Sequence, residues 1–245
     1  MNAPENPADY RAIWESKPIL RAIYRGWYAR MTTFCQQGRT LEIGGGSGNL
    51  KAFAPNVLST DVLPAAWLDT VCDAQRLPFA DESFVNIVML DVLHHLERPV
   101  RFFDDASRVL KPGGRIVMLE PGITPVSHFF YHKFHHEPVD MTADAFADGA
   151  IDPHRDPYNS NQAIPTLLFG NAPDRQAFEH RFDRLKIFRT ERLALIVYPL
   201  SGGFRSFSLL PGFLVGVLTG LERVLAPLLG RLMAFRLMIV LEKRR

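Results

Sequence analysis

The stretch Leu41–Leu50, LEIGGGSGNL, sets a short apolar run and an acid before glycines at alternating positions and a helix start. Glycine at 44, 46 and 48 lets the backbone take positive φ and removes the Cβ atoms that would hold a ligand off the loop. The expected occupant of such a turn is a nucleotide-like cofactor. A dinucleotide fingerprint G-x-G-x-x-G needs its third glycine at position 49, where this chain has Asn49, which weakens a nicotinamide dinucleotide reading. Glu42, two residues before the first glycine, suits a cofactor with a positively charged end better than a pyrophosphate. The bland alternative is a plain strand-to-helix turn.

Outward from that turn, apolar runs suggest strands at Thr40–Ile43, Asn56–Asp61, Thr70–Cys72, Val85–Asp91 and Arg115–Glu120. Helical patterns lie between them, notably Pro99–Leu110, which ends on the stop signal KPGG. Strands alternating with helices predict a doubly wound parallel sheet. The Asp61–Asp73 connection is too short for more than a turn or two of helix. Ala8–Phe34 reads as one or two helices broken at Pro18, placed to lie over the site. Residues 121–181 lack clear periodicity before Ala163–Phe169 and read as a substrate-side insertion outside the core. Leu185–Leu200 and Ala234–Glu242 read as further strands.

Composition adds bounds. The chain has 245 residues, 47% of them apolar and 22% charged, enough for one α/β domain with an elaboration. Cys35 and Cys72 form no metal or redox spacing, so a reducing cytoplasm is expected. The acidic, proline-rich start is unlike a secretory signal. The net charge of +2 hides an asymmetry: residues 1–174 carry 15 Lys and Arg against 21 Asp and Glu, and residues 175–245 carry 13 against 5. The basic end is also the most apolar. Pro211, Pro227, Glu222, Arg223 and Arg231 interrupt Leu209–Met233 and argue against a spanning helix. A helix from Gly212 to about Ala226, kinked or restarted at Pro227, is expected either to meet an anionic membrane surface at the cytoplasmic face or to pack as a core helix with a basic rim. Nucleic acid is not an expected partner, because the basic residues sit beside apolar surface and the cofactor half is acidic.

Acids close the successive strands: Asp61 after the second, where a carboxylate can accept from two ribose hydroxyls; Asp73 after the third, with Ala74 beside it; and Asp91 after the fourth. The stretches LEIGGGSG, STDV, CDAQRLPFADESFVNIVMLDVLHHL and RVLKPGGRIVMLEP closely resemble the motifs of class I S-adenosylmethionine-dependent methyltransferases of the small, type 11 domain kind. The insertion and apolar C-terminal helix look like a bacterial subgroup associated with surface polysaccharide or lipid modification. The resemblance implies a Rossmann-like, mostly parallel seven-stranded sheet whose last strand is antiparallel. It also implies four segments: a helical cover (1–37), a cofactor-binding core (38–122), an acceptor-side insertion (123–182) and C-terminal strands flanking the apolar helix (183–245).

By carry-over, S-adenosylmethionine is the cofactor. Glu42 sits near its ammonium, Gly44, Gly45, Gly46, Gly48 and Asn49 form the cradle, Asp61 and Val62 hold the ribose, Asp73 and Ala74 the adenine, and Asp91 closes the crevice edge. The expected reaction is methyl transfer to a small-molecule acceptor, first an oxygen of a sugar or lipid-linked compound. A free small metabolite and a non-catalytic binding or scaffold module are the alternatives. A hydroxyl acceptor needs a base, for which His94, His95 and His132 are the candidates. His128, His132 and either His135 or His136 share a helical face, open to a base, a metal or a plain polar surface; no metal is expected.

Overall fold

The computed structural model describes residues 6–135 and 137–245. Asn6 caps α1 (Pro7–Ser16) by accepting from the Asp9 N–H, and Pro18 opens α2 (Pro18–Thr32), as proline does at a first helical position. α2 buries Leu20, Tyr24, Trp27, Tyr28 and Met31 along one face. After β1 (Thr40–Ile43) and the glycine turn, α3 (Asn49–Phe53) is cut short before Pro55. β2 (Leu58–Asp61), β3 (Thr70–Val71) and β4 (Phe84–Leu90) follow. The 62–69 connection has turns and no helix.

A 3₁₀ turn, Leu93–His95, leads to α4 (Pro99–Val109), which buries Phe102, Phe103 and Ala106. β5 (Leu110–Pro121) is followed by α5 (Pro125–Phe134), α6 (Ile164–Phe169) and α7 (Ala172–Arg181). β6 (Leu185–Leu193) stops where Ala194 takes φ +57°, so the expected strand to Leu200 is instead α8 (Val197–Ser201). α9 (Val215–Met233) and β7 (Arg236–Lys243) close the chain. α9 runs as one helix through Pro227, the position expected to kink or restart it. Pro227 and Arg223, whose carbonyl loses its partner there, are both exposed, so water can meet the freed group.

The seven strands run in the order β3-β2-β1-β4-β5-β7-β6, parallel except for β7, which pairs antiparallel with both neighbours. Side chains of the central strands alternate between two cores. Ile116, Met118, Ile239 and Leu241 join the Phe84, Phe102, Phe103, Phe169 and Phe178 side, and Val117, Leu119, Met238 and Val240 join the Trp14, Leu20, Tyr24 and Met31 side. α6 and α7 therefore belong to the core, contrary to the expected non-core insertion; Phe169 and Phe178 are fully buried with ring centroids 4.7 Å apart. α7 has Phe178 as its one buried residue, too sparse a pattern to announce a helix. The strand order reverses between β1 and β4, and the crevice at that switch point is the natural ligand site.

Candidate active site

β1 delivers the glycine turn to the crevice. Gly44 has φ +72°, and a Cβ there would meet Val92 at 2.1 Å. Gly46 has φ +44°, and a Cβ would find no atom nearer than 3.8 Å, so its open side faces the cavity rather than protein. The Gly45 N–H donates to the Thr60 carbonyl at 2.8 Å and the Gly48 N–H to the Gly45 carbonyl at 2.7 Å, which fixes the turn against β2. Asp61 reaches across the crevice, accepting from Gly46 N–H at 2.8 Å and Leu63 N–H at 3.0 Å. The turn and the ribose-side acid are thus one hydrogen-bonded unit.

Glu42 is buried beneath the turn and accepts a hydrogen bond from the Ser59 hydroxyl. Burial pushes its carboxyl up to about 7, with the hydroxyl opposing and Asp61 adding to the rise. A cationic ligand group would offset that cost. Asn49 Oδ1 is buried without a partner at the same wall, another place for a ligand donor. Asp73 accepts from the Gln75 backbone and side chain through one oxygen, Oδ1. Val62 and Ala74 also line the cavity. These residues fit an amino acid joined to a nucleoside.

The cavity holds about 990 Å³, at the top of the range for single small-molecule sites and roomy enough for two molecules. Pro7, Tyr10 and Ile13 of α1 line one side, and Trp67, whose indole donates to the Gly46 carbonyl at 2.8 Å, lies under the Arg11 guanidinium at 4.4 Å. The N-terminal helix therefore covers the glycine turn. The rest of the lining combines rings, Tyr24, Tyr28, Phe130, Tyr131, Tyr198, Phe204, Phe207 and Phe235, with polar side chains, among them Glu97, Glu137, Asp152, Arg155 and Gln162. Burial raises the phenol pKa of Tyr24, Tyr28, Tyr131 and Tyr198, keeping them neutral donors.

The two histidines after β4 have opposite electrostatics. His94 Nδ1 lies 2.8 Å from Glu120 Oε2, and its Nε2 is 3.4 Å from Glu137. Burial disfavours the imidazolium, but these two carboxylates overcome it and hold the His94 pKa up to about 10. Set between two carboxylates, His94 is placed to carry a positive charge rather than to take up a proton. His95 lies tilted against it at 4.2 Å between ring centroids, and burial followed by the His94 charge pushes its pKa down to about 4. His95 Nδ1 is buried without a partner. His132 stands on the exposed face of α5, stacked on His128 and away from the cavity, so the geometry does not support a base there. His136 lies outside the described residues.

Asp91 lines the cavity, but Arg236 takes up its carboxylate as an ion pair. Sequence reasoning missed Arg236, Glu120 and Glu137. Glu120 is fully buried and accepts the Val92 and Leu93 N–H groups, each at 2.9 Å, besides His94.

A methyltransferase-domain family model matches residues 41–118, the segment that carries the glycine turn, Asp61, Asp73, Asp91 and both histidines. The ubiquinone/menaquinone biosynthesis C-methyltransferase UbiE of Bordetella avium is 33% identical over 107 residues, covering 34% of this chain and 40% of that protein. The mouse protein named probable tRNA methyltransferase 9B is 41% identical over 51 residues, or 20% of this chain and 11% of that one. The chain thus spans less than half the length of these curated relatives. Among solved structures, that of a proposed sarcosine dimethylglycine methyltransferase from Galdieria sulphuraria superposes with a TM-score of 0.52 at 15% identity, covering 97% of this chain and 98% of that one; this likeness concerns the fold. Residues 41–118 thus match a methyltransferase domain, and the fold is shared with a solved methyltransferase structure.

Proposed function

We propose that the whole chain is an enzyme that transfers a methyl group from S-adenosylmethionine to an apolar, ring-bearing hydroxy compound of the quinol class. The carrying observation is the ring-rich wall opposite the glycine turn. Flat aromatic walls match a flat apolar acceptor. A relative named for ubiquinone and menaquinone methylation supports the same acceptor class.

When bound, the cofactor supplies a methyl carbon already activated on a positively charged sulfur. The protein's work is alignment and exclusion of water. In this assignment Glu42 would hold the ammonium end, Asp61 and Val62 the ribose, and Asp73 and Ala74 the adenine. Gly44, Gly45, Gly46 and Gly48 keep the cradle open, and Asn49 offers its unpartnered oxygen. His95 is assigned as hydrogen-bond acceptor for the acceptor hydroxyl, because its Nδ1 lacks a protein partner and its ring is neutral. His94 contributes a fixed positive charge balanced by Glu120 and Glu137.

Incubation with S-adenosylmethionine labelled in its methyl group, against a lipid-soluble quinol and a polar saccharide fraction, separates the acceptors. The proposal predicts label in the organic phase, with stoichiometric S-adenosylhomocysteine. Label confined to the saccharide fraction would overturn the acceptor class. Cofactor binding without any product would leave a binding module and overturn the enzyme.

A further inference from the structure

α9 presents an unpartnered apolar face. With the turn before it, it forms a helical stretch of 22 residues, Gly212–Met233, of which only 11% of an 18-residue window is buried. Phe213, Val217, Leu221, Val224, Leu228 and Leu232 recur every three or four residues on the outer side, with Phe213 82% and Leu228 80% exposed. Soluble surfaces rarely leave such a contiguous stripe uncovered. The charges sharing that side are Arg223 and Arg231, both exposed.

The one acid of the helix, Glu222, is turned inward and buried, where it accepts the Ile196 N–H at 2.5 Å and the Val197 N–H at 2.7 Å. Its carboxylate therefore caps α8 and leaves the outer face purely apolar and cationic. At the far end, burial and then the charges of Arg231 and Arg175 lower the Arg192 pKa, so cations crowd there.

Length and composition alone would let this helix cross a bilayer, but its attachments oppose that. The excursion leaves the sheet at Leu193 and returns at Arg236, two residues paired across β6 and β7, and Phe235 N–H donates to the Ala194 carbonyl at 2.9 Å. The leading loop is held too: the buried Lys17 ammonium donates to the carbonyls of Gly203 and Arg205 at 2.7 Å and Phe207 at 2.8 Å. Both ends of α9 are thereby fixed to one body.

We propose that α9 lies flat on an anionic bilayer surface, its apolar stripe among the acyl chains and its arginines at the headgroups. Apolar burial and headgroup attraction add in this geometry. A second copy on the same face would bring two sets of Arg223 and Arg231 together with no acid to neutralise them; anionic lipid neutralises both. The partly exposed Phe207 and the exposed Leu209 continue the apolar surface toward the loop 202–207, which lines the cavity. The inference concerns binding and does not depend on methyl transfer.

Vesicle sedimentation of the full chain tests it, with phosphatidylcholine alone against equal parts phosphatidylcholine and phosphatidylglycerol. The wild type is expected to pellet with the anionic vesicles, V217E/L228E to bind at least about tenfold more weakly, and R223Q/R231Q to lose chiefly the preference for anionic lipid. Unchanged thermal midpoints and cofactor affinity show that the variants are folded. Absence of wild-type binding, equal binding by V217E/L228E, or a lipid-independent dimer that V217E/L228E dissociates would each overturn the proposal.

Discussion

The guanidinium of Arg236, at the start of β7, closes on the carboxylate of Asp91, at the end of β4, although the two are 145 residues apart. Arg236 is 4% exposed and lies over the Tyr198 ring at 4.5 Å and the Trp27 ring at 5.3 Å. Asp91 takes φ +59°, a conformation costly for a residue other than glycine. The pair ties the crevice edge to the antiparallel strand and to the aromatic wall.

Breaking that pair should be expensive. Arg236→Met leaves the Asp91 carboxylate without its counter-charge and is expected to cost about 3 kcal/mol in urea unfolding, the lower end for a buried pair because Asp91 faces the cavity. The double variant Asp91→Leu/Arg236→Met should recover part of that loss. Strictly additive losses would show that the two residues are not coupled.

Glu120 holds the turn after β4. Glu120→Ala orphans two backbone N–H groups and leaves His94 with one carboxylate, so a loss of about 3–5 kcal/mol is expected. His94 also sets a pH dependence. Its folded pKa is raised from 6.5 to about 10, so its stabilisation is complete below the unfolded value and disappears as pH rises through about 10. Thermal midpoints on the alkaline side should therefore fall more steeply for the wild type than for His94→Gln. Parallel profiles would remove the imidazolium from the account.

Glu42 predicts a pH effect of opposite consequence. Its carboxyl is raised to about 7 in the ligand-free fold, yet a cationic ammonium binds the ionised form. Affinity for S-adenosylmethionine should weaken by roughly tenfold as pH is lowered from about 8 to about 6, as the carboxyl takes up its proton. Glu42→Gln should bind weakly and flatten the profile. The same pH dependence in both proteins would place the ammonium elsewhere.

Lys17 is the fastener of the roof. Lys17→Met removes the donor of three loop carbonyls, a loss of about 1–3 kcal/mol. Amide exchange in residues 202–209 should accelerate by about tenfold or more, while cofactor affinity stays within about twofold. Unaltered exchange would mean that the Tyr10–Phe204 and Tyr24–Phe204 ring contacts hold the loop without it.

The sheet was legible because its strands are apolar runs closed by acids, and the glycine turn because glycine spacing is a local signal. Asp61, Asp73 and Asp91 all reached the crevice for that reason. Glu120 looked like one more strand-end acid, since its partner His94 lies 26 residues away and only pairing of β4 with β5 brings them together. His94 and His95 are neighbours with opposite shifts: two carboxylates that no local pattern connects to it raise His94, whereas burial and the His94 charge lower His95. Arg236 did carry a signal, a lone charge at the head of the apolar run AFRLMIVL. The aromatic wall draws Tyr24, Tyr131 and Tyr198 from three separate helices, so it exists only after folding. α7 was missed because a single buried phenylalanine supplies its core contact.

Calorimetric titration of the cofactor-stripped chain decides whether the glycine turn and Asp61 hold S-adenosylmethionine. The account predicts saturable one-site binding, no binding of NADH, and a loss of about 1–3 kcal/mol in Asp61→Ala through the charged hydrogen bonds removed. A folded wild type that takes up no heat from S-adenosylmethionine, or an Asp61→Ala variant with undiminished affinity, would contradict it.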